Sequence, residues 1–161
     1  MASLASSRGS ETRIDRDASW SRRPVARAPT PHTTYPATAE AIGAARREVG
    51  RIAREAGATQ GALADIELAV SEASTNAVIH SYAAPGTRGE SFTISTAAEG
   101  SRLSVWVTDE GQGGTPDVPS PGLGLGLELM ARICERVLIG VVEDGRTQVE
   151  MRFDLGLAAQ S

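Results

Sequence analysis

The stretch from Asp109 to Leu127 constrains this chain more than any other. It reads Asp109-Glu-Gly-Gln-Gly113, eight loop residues, then Gly122-Leu-Gly-Leu-Gly-Leu127. Immediately upstream, Leu103, Val105 and Val107 alternate with polar or amphipathic residues over Arg102 to Thr108, the period of a half-buried strand. Immediately downstream, the apolar residues of Leu125 to Cys134 recur at helical spacing. An acid therefore closes a strand, and a glycine cluster opens a helix. Glycine lets backbone N–H groups approach a ligand with no Cβ in the way. A helix N-terminus adds unpaired N–H groups and a partial positive charge, which suits phosphate. The stretch reads as a nucleotide site.

The rest of the composition narrows the chemistry. A chain of 161 residues has room for one ordinary domain and a tail. With 40% hydrophobic but only 4% aromatic residues, its core must be built from Ala, Val, Leu and Ile. No apolar run is long enough to span a membrane, and Met1 to Ser10 lacks the apolar stretch of a signal peptide, so a cytoplasmic protein is expected. The single cysteine excludes an internal disulfide; Cys134 falls on the apolar side of its helix and reads as a buried small hydrophobe. All 16 basic residues are arginine, which removes the phosphate-binding P-loop lysine and lysine-based covalent catalysis. Residues 1–30 carry six arginines against three acids, whereas the remainder carries ten against 17. That acidic remainder disfavours a nucleic-acid surface on the folded part.

In chain order, residues 1–31 are rich in Ser, Ala, Arg and Pro without a period and read as a disordered tail, leaving 32–157 for the domain. His32 to Tyr35 suits a short edge strand stopped by Pro36. Ile42, Ala45, Val49, Ile52, Ala53 and Ala56 form one stripe of a helix ending near Gly57, with Arg46, Arg47, Arg51 and Arg54 on its other side. A second helix is expected from Thr59, as N-cap, to about Ser81. On it Leu63, Ile66, Val70, Ala73 and Ala77 fall within roughly 80° of one another. Glu72 and Asn76 sit on the flank of that stripe, where packed core meets an opening. Ser91 to Ala97 turns back through Glu99-Gly100 into the strand ending at Asp109, and Asp144-Gly145 joins two further strands as a hairpin. The fold class is α+β: two layers, a mixed and mostly antiparallel sheet with helices on one face.

Three elements now stand in order: Glu72-x-x-x-Asn76 on a helix, Asp109-x-Gly111-x-Gly113 after a strand, and Gly122-x-Gly124-x-Gly126 opening a helix. Together they resemble the N, G1 and G2 boxes of the GHKL (Bergerat-fold) ATPases, which include histidine kinases and gyrase. The finer resemblance is to the bacterial anti-sigma-factor serine kinases: Ser71 to Tyr82 looks like that subfamily's N box, and Ala45-Arg46-Arg47 like part of its first helix. It covers about residues 32 to 154 and implies the Bergerat sandwich.

The resemblance implies a role for each matching residue. Asp109 would accept the adenine amino group, with Thr147 supporting that contact from a neighbouring strand. Gly111 and Gly113 would let the backbone run under the base. Gly122, Gly124 and Gly126, with Leu123 and Leu125 between them, would present N–H groups to the phosphates of ATP. Asn76 would hold Mg²⁺ through its side-chain oxygen, and Glu72 would orient or deprotonate an attacking serine hydroxyl. Implied partners are a sigma factor, an anti-sigma-factor antagonist phosphorylated on Ser or Thr, and a second copy in a homodimer; no nucleic acid or membrane is expected. Arg46 and Arg47 are the candidate docking residues. The chain departs from the pattern in one place: residues 110–121 contain no arginine, and Leu123 stands where many relatives have a basic residue. That leaves an alternative, a nucleotide-gated binding module that sequesters a partner without transferring phosphate.

Overall fold

A computed structural model describes residues 25–82, 91–109 and 123–157. Its elements run β1 (Thr33–Pro36), α1 (Ala39–Glu55), α2 (Gln60–Tyr82), β2 (Ser91–Glu99), β3 (Arg102–Asp109), α3 (Leu123–Ile133), β4 (Arg136–Val141) and β5 (Thr147–Asp154). The five strands form one sheet in the order β1-β2-β3-β5-β4. The expected α+β sandwich is present, and among the described residues every strand pairing is antiparallel rather than mixed. β5 is inserted between β3 and β4, which places its first residue, Thr147, beside the end of β3.

Both ends of α1 and the start of α2 fall where their chemistry says they should. The Thr38 hydroxyl accepts the Ala41 N–H at 3.2 Å and caps α1. After Ala56 the chain takes a left-handed residue, Gly57, at φ +91°, a conformation open to glycine at little cost. Thr59 then caps α2 as the sequence predicts, its hydroxyl accepting the Ala62 N–H at 3.3 Å. The β4–β5 hairpin closes on Gly145 at φ +86°.

One face of the sheet carries the core. Phe92, Ile94, Leu103, Val105, Val107, Met151 and Phe153 point into it and meet Ala45, Val49, Ala53, Ile66, Val70, Ala73, Ala77 and Met130 of the helices. Burying a Leu-, Ile- or Phe-sized side chain contributes about 1.5–3 kcal/mol, and the small alanines let the helices lie close. Cys134 belongs to this core, and burial, reinforced by Asp65, pushes its thiol up to about 12. It stays protonated and unreactive, as a small hydrophobe.

The opposite, outer face differs from expectation. Residues 25–31, assigned to the tail on composition, are held against it. Val25 donates its N–H to the Val141 carbonyl at 3.2 Å. The Gln148 side chain, 1% exposed, accepts the Ala28 N–H at 2.9 Å and donates to the Ala26 carbonyl at 2.7 Å. Composition shows no apolar period here, while the tie is one buried carboxamide more than a hundred residues downstream. The remainder of the expected tail, 1–24, lies outside the described residues.

Candidate functional site

Asp109 ends β3 on the core side of the sheet, continuing the row Leu103, Val105, Val107, and is 6% exposed. Its register partner across β2 is Phe92, which stacks on Tyr35 with ring centroids 5.4 Å apart. From the other side, Thr147 donates its backbone N–H to Asp109 Oδ1 at 3.4 Å. Thr147 thus stands beside Asp109 through the main chain of β5. A carboxylate this deeply set is costly unless its oxygens accept hydrogen bonds, and the strand insertion supplies one.

The second cluster joins two helices. Glu72 and Asn76 are half-buried on the flank of α2 that faces α3. Gly126 lies directly against them: a Cβ there would stand 2.9 Å from Glu72 Oε2 and 3.7 Å from Asn76 Nδ2. Glycine at this position is what allows the backbone of α3 to approach the carboxylate and carboxamide so closely. Leu123, Gly124, Leu125 and Gly126 are the first four residues of α3, whose N–H groups have no acceptor one turn earlier. The arrangement therefore sets a positive helix end beside an acid and an amide. Gly111, Gly113 and Gly122 lie outside the described residues, on the segment that connects Asp109 to α3.

The remaining candidates separate. On α1, Arg51 pairs with Glu48 at 2.7 Å and with Glu55 at 2.5 Å, while Arg54 pairs with Glu67 at 3.2 Å. Arg46 and Arg47 are exposed and form no ion pair with a described residue. They lie on α1, not in either cluster. Sequence reasoning missed Gln148 and the Gly126–Glu72 contact. Gln148 sits in the outward row of an alternating strand, where a polar residue signals only solvent. For Gly126 the signal was present as the G-x-G spacing, but the spacing does not say which side chain the glycine admits.

Residues 35–153 match the model of a family described as the histidine kinase-like ATPase domain. The chain belongs to it. Within the family it is similar to two proteins named serine-protein kinase RsbW. One, from Halalkalibacterium halodurans, is 40% identical over 91 residues, covering 56% of this chain and 54% of that protein. The other, from Bacillus licheniformis, is 32% identical over 122 residues, covering 66% of this chain and 74% of that protein. Among solved structures, that of the RsbU and RsbW domains of a Mycobacterium tuberculosis protein superposes with a TM-score of 0.55 at 30% identity. It covers 80% of this chain and 33% of that one. The match thus spans about half of the Halalkalibacterium relative and a third of the mycobacterial chain. Among the described residues, no helix is long and apolar enough to cross a membrane.

Proposed function

We propose that this chain is an ATP-dependent serine/threonine protein kinase that acts as an anti-sigma factor, silencing an antagonist protein by phosphorylating it. The observation that carries this reading is the packing of Glu72 and Asn76 against the Gly126 backbone at the start of α3. ATP would lie with adenine on Asp109 and its phosphates on the N–H groups of Leu123 to Gly126. Asn76 offers one amide oxygen to Mg²⁺, enough for an ion that retains waters and phosphate oxygens as its other ligands. When bound, the ion supplies charge neutralisation at the phosphates. The serine Oγ of the antagonist attacks the γ-phosphorus, the bond to the β–γ bridging oxygen breaks, and ADP leaves. Glu72 orients the hydroxyl and takes its proton. Positioning and charge account for most of the acceleration in such transfers.

The supporting partners are those of the RsbW type: a sigma factor, the antagonist and a second copy of the chain, in the cytoplasm. Arg46 and Arg47, without ion pairs among the described residues, are the docking residues we assign on α1. A second reading, partner sequestration gated by nucleotide without transfer, is favoured by the absence of arginine from 110–121.

One experiment separates the two. Purified chain is incubated with γ-labelled Mg-ATP and candidate antagonist domains from the same genome. Label on an antagonist serine or threonine, lost in Glu72→Gln while ATP still binds, supports the kinase. ATP-dependent partner binding with no label in the wild type leaves the sequestering module.

A further inference from the structure

The segment that straps the outer face of the sheet covers only part of it. In register across β4, β5, β3 and β2, one row of outward side chains runs Gly140, Gln148, Thr108 and Thr93. Arg27, Ala28, Thr30 and His32 line the cleft above Gln148, Thr108 and Thr93, and the whole row is buried. The next row runs Leu138, Glu150, Trp106 and Ser95. Here Leu138, Glu150 and Trp106 are only half-buried. The helices give them no cover, because they pack on the opposite face. A tryptophan and a leucine on one uncovered stretch of sheet form the kind of apolar surface that an interacting segment occupies. Glu150 places a carboxylate between them. Arg152 and Arg136 stand in the row beyond, which keeps an arginine-bearing segment to the Glu150 row.

The start of the strap indicates the occupant. Val25 donates its N–H to the Val141 carbonyl at the end of β4, and the residues just before it are Trp20-Ser-Arg-Arg-Pro24. Trp106 lies two strands to the side of Val141, about 10 Å, and three residues along, about another 10 Å, so the straight-line separation is about 14 Å. Trp20 is five residues before Val25, a reach of up to about 17 Å. Glu150 is nearer, within the span of Arg22 and its long side chain. In an extended segment, residues two apart point to the same side, so Trp20 and Arg22 face the sheet together. Proline at position 24 suits a change of direction there.

We propose that residues 20–24 fold back beside the strap, laying Trp20 on Trp106 and Leu138 and Arg22 on Glu150. The N-terminal segment of the chain then covers two rows of the sheet instead of one. Apolar contact between the rings supplies most of the attraction, and the ion pair fixes the register. This interaction is independent of the nucleotide reading and stands or falls without it.

Trp20 and Trp106 are the two tryptophans of the chain, so their ring signals are read without overlap from others. In the full-length protein, nuclear Overhauser cross-peaks between the two indole rings are expected, with relative intensities that do not change on dilution. Fluorescence reads the same contact, since Trp20→Phe and Trp20→Ser each leave Trp106 as the sole emitter. Acrylamide should quench it about twofold more strongly in Trp20→Ser, where no aromatic ring covers it. Adding Arg22→Glu to Trp20→Phe sets like charges together and should raise quenching by a smaller factor. An unchanged side-chain amide signal from Gln148 reports that the strap is intact in each variant. Leu138→Ser, combined with Trp20→Phe, tests the contact from the sheet side and should also raise quenching. Equal quenching in the Phe and Ser variants, or no cross-peak between the rings, would overturn the proposal. Cross-peaks that weaken on dilution would overturn it too, and would mean that a second copy of the chain covers this row.

Discussion

The β3–β5 strand pair has two faces that handle polar residues in opposite ways. On the helix side, Asp109 is nearly enclosed at a strand end, and Glu72 and Asn76 meet Gly126 between two helices, all elements the sequence already marks. On the outer side, Thr108 and Gln148 are equally enclosed, but by a segment that carries no regular structure. One face is buried because apolar periodicity demands a core there. The other is buried because a single carboxamide can satisfy two backbone groups of a passing chain. The comparison teaches that burial of polar groups on this sheet has two origins, hydrophobic enclosure and hydrogen-bonded strapping, which respond to different substitutions.

The largest test of that distinction is Asp109→Asn. A hydrogen bond to a charged acceptor is worth roughly 1.5–3 kcal/mol, so ATP affinity measured by calorimetry should fall about ten- to a hundredfold. The outer face should answer differently. Gln148→Ala removes the partners of the Ala26 carbonyl and the Ala28 N–H and should lower unfolding stability by about 2 kcal/mol. Amide exchange at Val25 and Ala28 should rise towards unprotected rates, while ATP affinity changes less than in Asp109→Asn. An affinity loss as large as that of Asp109→Asn would mean the two faces act as one unit.

A smaller effect sharpens the helix side. Alanine is favoured over glycine within helices by about 1 kcal/mol, so Gly126→Ala should not lower the melting temperature appreciably. Its Cβ would nevertheless displace the Glu72 carboxylate, and phosphate transfer, assayed as label on the antagonist, should drop. A variant with full transfer and unchanged stability would show that the close approach is incidental. The smallest expected signal concerns Cys134: with its thiol pushed up to about 12 by burial, iodoacetamide at neutral pH should label it only after denaturation. Labelling in the native state would mean the α3 face of the core opens.

Much of the helix side was legible before the structure. Strand β3 follows from the alternation of Leu103, Val105 and Val107, and Thr59 and Gly57 punctuate the helices through cap chemistry that acts over three or four residues. Glu72 and Asn76 are recognisable because their spacing places them on one flank of α2. The outer face was not legible. Residues 25–31 have no period of their own, and Gln148 alternates as any solvent-facing strand residue does.

What the sequence alone determined is everything that depends on neighbours along the chain: element types, their ends, the acid after β3 and the glycines that open α3. Tertiary structure decided what depends on distant partners. It inserted β5 beside β3, so that the Thr147 N–H reaches Asp109; it set Gly126 against Glu72; and it drew residues 25–31 onto Gln148. The physical reason is range. Periodicity and capping are local hydrogen-bonding and packing rules, whereas a buried polar group takes its partner from whichever segment the fold brings within reach.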